Sequence, residues 1–249
     1  MGVYIVGLRG RLKDMGNILV IGGLHGDEPL GIEMVRGLQE KPLPGVTAII
    51  GNPEAVRANI RCIESDLNRV FPGKSEGNLE ERRAAEIIEI AQGFDLVLDF
   101  HNTRAPDNDC TFVGEEPSQE MLAAIGALGL ERIVVCDCDC VNRHIRGSIG
   151  IEISISSALC NASEWRKRIA VFAEGITLER KAPTLFRLVR RVNREERERY
   201  DLKDWRAFAE IPDRDREALG LPTGTYCAIF VNDAYTAQNY ATLLTPIKK

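Results

Sequence analysis

Short runs rich in Val, Ile and Leu alternate with longer segments of helical spacing through about the first 180 residues. The runs NILVIGG, VTAIIGN, DLVLDF, RIVVC and GIEISI are continuously apolar, the pattern of strands buried in a parallel-type sheet. Between them, EPLGIEMVRGLQE, NLEERRAAEIIEIAQG and PSQEMLAAIGALG carry apolar residues at helical intervals, and the last two end at Gly, where helices commonly stop. This alternation predicts a layered α/β domain with helices packed against a central sheet. Further on the pattern changes, because Pro183, Pro212 and Pro222 punctuate shorter segments, and a small second lobe is expected there. TLFRLVRRV fits two periods: Leu185, Leu188, Val189 and Val192 suit a helix, whereas its Val, Phe and Thr content suits a strand.

Composition narrows the class without changing that picture. A chain of 249 residues with 44% hydrophobic and 28% charged residues has the make-up of a soluble globular protein. A formal charge of −5 argues against sequence-independent nucleic-acid binding, which needs surplus Lys and Arg. No apolar run reaches the roughly 18–20 residues that span a bilayer, and MGVYIVGLRGRLKDMGN lacks a signal-peptide layout, so a cytoplasmic location and no membrane partner are expected. Seven cysteines, an odd number, read as reduced thiols. In CDCDC a strand would put Cys136, Cys138 and Cys140 on one face, a spacing that favours core packing over zinc binding.

Of the three histidines, two occupy positions that could carry chemistry, and His144 reads as a loop residue. His25 follows ILVIGG and His101 follows DLVLDF, so both stand just past the carboxyl end of an apolar strand, the edge where open α/β sheets bind ligands. Glu28 lies three residues after His25 and can face the same cation. Two His and one carboxylate leave a fourth tetrahedral position open, the composition of a catalytic zinc site. Alone, the His25–Glu28 pair also suits an ordinary helix start, where a negative charge favours the dipole. The stretch GNPEAVRANIRCIESDLNRVFPG adds Asn52, Arg57, Arg61, Asn68 and Arg69; a guanidinium there can stabilise an oxyanion or clamp a carboxylate. Glu152 sits in the apolar run GIEIS, where a carboxylate is costly unless it has a partner or a task such as general base.

As a set, GGLHGDE, NPEAVRANIRCIESDLNR, LDFHNT, GIEIS and FVNDAY resemble the aspartoacylase and succinylglutamate desuccinylase family, with HNT and FVNDAY looking more like the aspartoacylase branch. The resemblance implies a three-layer α/β/α zinc-carboxypeptidase-like domain with a mixed central sheet over residues 1–180, and a reduced, β-rich lobe over 181–249 covering the active-site channel; it favours the strand reading of TLFRLVRRV. It further implies one zinc ion held by His25, Glu28 and His101, with Glu152 as general base and later acid, and Arg61 polarising the scissile carbonyl. Asn68 and Arg69 would clamp the substrate α-carboxylate, Asn52 and Asp66 would support the pocket, and Tyr235 would reach in from the second lobe. Arg146 is the nearest candidate for reading the substrate side chain, with Arg143 second. Asp27 in HGDE replaces the family's usual asparagine. The implied activity is hydrolysis of an N-acyl amino acid such as N-acetyl-aspartate by a homodimeric enzyme. A desuccinylase-like or carboxypeptidase-like zinc hydrolase and a non-catalytic zinc-binding protein are the alternatives.

Overall fold

The structure, a computed structural model, describes residues 16–137, 140–175, 183–202, 204–233 and 239–247. Among the described residues nine strands form one mixed sheet in the order β2-β1-β3-β6-β4-β5-β7-β9-β8. In chain order these are β1 (Ile18–Gly22), β2 (Val46–Ile50), β3 (Leu96–Thr103), β4 (Cys110–Val113), β5 (Arg132–Val135), β6 (Ser148–Ser154), β7 (Thr184–Asn193), β8 (Cys227–Ile229) and β9 (Asn239–Pro246). β2, β1, β3 and β6 run parallel, and β4 turns antiparallel beside β6. Each apolar run singled out in the sequence falls on one of β1, β2, β3, β5 or β6.

Alternation within β1 shows why the sheet needs cover on both faces. Ile18 and Val20 pack with Leu30, Met34, Val35 and Leu38 of α1 (Pro29–Glu40) and with Trp165 and Ile169 of α6 (Ala162–Ala173). Leu19 and Ile21 point the other way, onto Ala84, Ile87 and Ala91 of α3 (Leu79–Ala91). The result is the α/β/α layering expected of continuous strands with amphipathic crossovers. Of the remaining helices, α2 (Pro53–Ala58) and α5 (Val141–His144) are short, α4 (Gln119–Ala127) joins the first face, and α7 (Arg194–Arg199) and α8 (Asp213–Ala218) follow β7.

TLFRLVRRV is a strand. β7 pairs parallel with β5 and antiparallel with β9, continuing the same sheet. Its ladder to β9 steps from Leu188↔Leu244 to Arg190↔Leu243, so Val189 forms a β-bulge. Beyond β7 a separate cluster gathers Val192, Trp205, Tyr226 and Tyr240. The CDCDC segment is not a strand extension: β5 ends at Val135, Cys140 caps α5, and Cys138 lies outside the described residues. Cys136 is disulfide-bonded, which corrects the expectation of seven reduced thiols. Among the described residues no helix is long and apolar enough to cross a membrane.

Candidate active site

The site grows from the carboxyl ends of β1, β3 and β6. After β1, Gly23 adopts φ +70°, which L side chains rarely take, and at Gly26 a Cβ would fall 2.1 Å from the Ala55 carbonyl. This tight turn delivers His25 and Glu28 to the sheet edge. Glu28 is the N-cap residue of α1, yet its side chain makes no cap hydrogen bond. It turns instead to the histidines: Oε1 lies 2.7 Å from His25 Nδ1, and Oε2 lies 3.0 Å from His101 Nδ1. The Asn102 backbone N–H donates to Oε2 at 3.1 Å. One ligand atom from each of His25, Glu28 and His101 can be chosen so that all lie within 4.8 Å of one another, a grouping able to hold a metal ion, and all three residues are buried.

A carboxylate backs each imidazole from behind. His25 Nε2 is 3.1 Å from Asp66 Oδ1, and His101 Nε2 is 2.7 Å from Asp99 Oδ2. Such pairs fix ring orientation and leave both Nδ1 atoms turned toward Glu28. Burial opposes charge throughout, but opposite charges outweigh it. His25 is raised mainly by Glu28, His101 is raised well above the ordinary imidazole range by Asp99 and Glu28, and Glu28 is held far below the usual carboxylate range by the two imidazoles. Asp66 is likewise lowered by His25 and by Arg61.

Glu152 stands directly beside His101 in the β3–β6 register. It lies on the same face as Asp99 and His101, toward the α3 layer, while Ile151 and Ile153 point into the opposite core. Burial pushes its carboxyl up to about 8, with Glu28 adding to the rise and His101 opposing it. A carboxyl tuned in this way can exchange a proton near neutral pH.

Arg61 donates from Nε and a terminal nitrogen to Asp66 Oδ2 at 3.1 and 2.9 Å, and lies 3.6 Å from Glu28 Oε1. Asn68, in the 3₁₀ turn Leu67–Arg69, accepts the Val141 N–H at 3.2 Å. Arg61, Asn68 and Arg69 line one cavity of about 160 Å³ with His25, Glu28, His101 and Glu152. Leu188 and Arg191 of β7 and Ala241 of β9 form its far wall.

Asn52 does not line the cavity and sits where it can support it from behind: it is fully buried, its Oδ1 accepts the Ala55 N–H to cap α2, and its Nδ2 donates to Glu80 at 3.0 Å. Arg146 lies before β6 and lines a different cavity with Asp95 and His144. Glu152 is six residues further along, roughly 20 Å at about 3.3 Å per residue, so proximity in sequence places Arg146 at the wrong end of the strand. Arg143, the second candidate, pairs with Asp137 at 3.1 Å. Tyr235 lies outside the described residues.

Several contributors are absent from the sequence reading. Asp99 carries a usable signal, since it precedes His101 by two residues and shares its strand face. Asp233, in FVNDAY, accepts from Thr103 Oγ1 at 2.5 Å and lines the cavity. Glu80 and Arg191 give no such local signal.

Residues 14–139 match the succinylglutamate desuccinylase/aspartoacylase catalytic domain. A succinylglutamate desuccinylase of Pseudomonas paraeruginosa is 32% identical over 142 residues, 48% of this chain and 42% of that protein. A probable aspartoacylase of Synechococcus is 35% identical over 131 residues, 45% of this chain and 43% of that protein. The matches thus span less than half the length of these relatives. The crystal structure of a succinylglutamate desuccinylase from Chromobacterium violaceum superposes with a TM-score of 0.70 at 17% identity, covering 96% of this chain and 87% of that one. The mixed α/β architecture is therefore the zinc-carboxypeptidase-like fold of these enzymes. With half of its sequence matched by the catalytic-domain profile, the chain belongs to the succinylglutamate desuccinylase/aspartoacylase family.

Proposed function

We propose that this protein is a zinc-dependent amidohydrolase that removes a short acyl group from the nitrogen of an amino acid. One observation carries the reading: Glu152 stands beside His101 in the paired strands, next to three residues that could together hold a metal ion, and burial raises its carboxyl to about 8. The named relatives support the same reaction class, since they include a desuccinylase, an aspartoacylase and a rat N-acyl-aromatic-L-amino acid amidohydrolase.

His25, Glu28 and His101 fit zinc in donor type and number, two imidazoles and one carboxylate, with Asp66 and Asp99 orienting the rings. A zinc ion there supplies Lewis acidity, lowering the pKa of water and polarising a carbonyl oxygen. The remaining tasks fall to side chains. Glu152 takes the proton of the attacking water and returns it to the departing amine nitrogen. Arg61, braced by Asp66, presents its guanidinium to the oxygen that gains negative charge. Asn68 and Arg69 hold the substrate carboxylate at the cavity wall.

The small cavity, closed on one side by β7 and β9, favours an acyl amino acid over an extended peptide. A panel of N-acetyl, N-succinyl and N-formyl amino acids plus short peptides, assayed with and without a chelator, tests the reading. Chelator-sensitive release of an amino acid is expected, and failure on every acyl amino acid would overturn it.

A further inference from the structure

Cys136 is disulfide-bonded. Among the described residues Cys62, Cys110, Cys140, Cys160 and Cys227 are free thiols, and Cys138 is the one cysteine that lies outside them. Oxidation is therefore selective: Cys110 and Cys227 share one buried cluster and stay reduced, whereas Cys136 carries the bond. Disulfide frameworks staple small folds that cannot build a core, and this chain builds a large one, so the bond is not needed for that purpose. Its position suggests another. Cys136 and Cys140 both line the cavity that holds His25, Glu28, His101 and Glu152. Cys136 follows β5 directly, and its N–H donates to the Val113 carbonyl at 2.9 Å, which anchors it to the sheet. Asp137 pairs with Arg143 of α5 at 3.1 Å, and Cys140 caps that helix. α5 in turn reaches the site: the Val141 N–H donates to Asn68 Oδ1 at 3.2 Å, while Asn68 Nδ2 stands 3.5 Å from His101 Nε2. A short stretch of chain thus connects a disulfide to the amide side chain assigned to the substrate carboxylate. Cys140 competes weakly for the bond, because burial pushes its thiol up and keeps it protonated. Opening the bond therefore needs an outside reductant.

We propose that the Cys136 disulfide is a redox switch for substrate binding, closed while it fixes the start of α5 and opened when a dithiol reduces it. In opening, a thiolate of the dithiol attacks one sulfur of the bond, and its second thiol resolves the mixed disulfide. Two electrons and two protons pass to Cys136 and its partner sulfur, and the dithiol leaves as a disulfide. Reduction loosens the start of α5, so the Val141 N–H holds Asn68 less often and the substrate carboxylate loses part of its clamp. His25, Glu28 and His101, carried by the turn after β1 and by β3, keep their places. The inference rests on the deacylase reading and adds its regulation.

The test compares the zinc-loaded full chain in its oxidised form with the same protein after a phosphine reductant. Alkylation after denaturation reads the state: five labels with the bond present, seven once it is reduced. Reduction is expected to raise KM for N-acetyl amino acids by roughly tenfold, with kcat changed less than about threefold and zinc content unchanged. Independently of turnover, hydrogen exchange at the Val141 amide is expected to quicken by roughly tenfold or more. Cys136→Ser should show the reduced values with or without reductant, whereas Cys160→Ser should keep the wild-type response. An unchanged KM, or an unchanged Val141 exchange rate, on full reduction overturns the switch, as does a Cys136→Ser protein that still responds. Seven labels both before and after treatment with oxidised glutathione overturn it as well. If wild type hydrolyses no acyl amino acid in either state, the deacylase reading fails by itself. The switch at α5 then stands if reduction quickens Val141 exchange, and falls if it does not.

Discussion

At the scale of single residues, Glu152 makes the sharpest demands. Glu152→Gln preserves shape and hydrogen-bonding capacity but cannot carry a proton from water to the amine, so kcat is expected to fall by about 10²–10⁴-fold with metal content unchanged. Retention of more than a tenth of the activity would remove Glu152 from the reaction. The same group governs alkaline stability of the metal-free protein. Its folded pKa of about 8 exceeds the ordinary 4.5, so the native state holds the extra proton. That contribution is complete below about pH 4.5 and is lost as pH rises through about 8. Denaturation of metal-free protein should therefore show Glu152→Gln gaining on wild type across this window, by roughly 4 kcal/mol at its upper end. A difference independent of pH would contradict the burial argument. Asp66 acts through others, orienting the His25 ring and bracing Arg61. Asp66→Asn is expected to weaken zinc binding by about 10–100-fold in a chelator competition. Unchanged affinity would show that the ring is held by packing alone.

At the scale of elements, the loop joining α2 to α3 depends on one carboxylate. Glu80, fully buried, accepts backbone N–H groups from Ile63, Glu64 and Ser65 at 2.7–3.1 Å, as well as the Asn52 side chain. Those residues lie between Arg61 and Asp66, so Glu80 sets the loop that carries both. Glu80→Ala leaves these donors unsatisfied and should cost about 2–4 kcal/mol of stability, while lowering kcat/KM more than zinc affinity. The converse ranking, zinc lost with kcat/KM of the loaded fraction intact, would place Glu80 in metal binding and not in loop geometry. Glu80 also marks where sequence becomes opaque. The strands β1, β3 and β6 are legible because burial on both faces forces continuous apolar runs, and His25, His101 and Glu152 are legible because they interrupt or end such runs. By contrast β4 and β8 are only four and three residues long, too short for a period to register. The Val189 bulge exists only in the pairing of β7 with β9, so which of Arg190 and Arg191 faces the cavity has no local signature. Arg146 misleads for the opposite reason: closeness in sequence to Glu152 becomes distance when the intervening residues form a strand.

At the scale of the whole molecule, the sheet continues from β2 to β8 without a break, and the three residues able to hold a metal ion join the carboxyl ends of its second and third strands, β1 and β3. β1 contributes the turn with His25 and Glu28, β3 contributes His101, and the loop before α3 contributes Asp66. Loading this cluster with zinc should therefore stabilise the fold as a unit, by about 4 kcal/mol when free zinc exceeds Kd a thousandfold. Protons must leave as it loads. His25 and His101 have raised pKa values without metal and bind a proton more readily than free imidazole, whereas ligation needs the neutral ring. Calorimetric titrations near pH 7 in buffers of different ionisation enthalpy are expected to reveal net proton release, and affinity should fall as the pH is lowered. Chelation should lower the Tm in one cooperative transition because the cluster joins adjacent strands, β1 and β3, of a single continuous sheet. Zinc binding without proton release would show that His25 and His101 are already neutral, and so that Glu28, Asp66 and Asp99 do not hold them as the geometry requires.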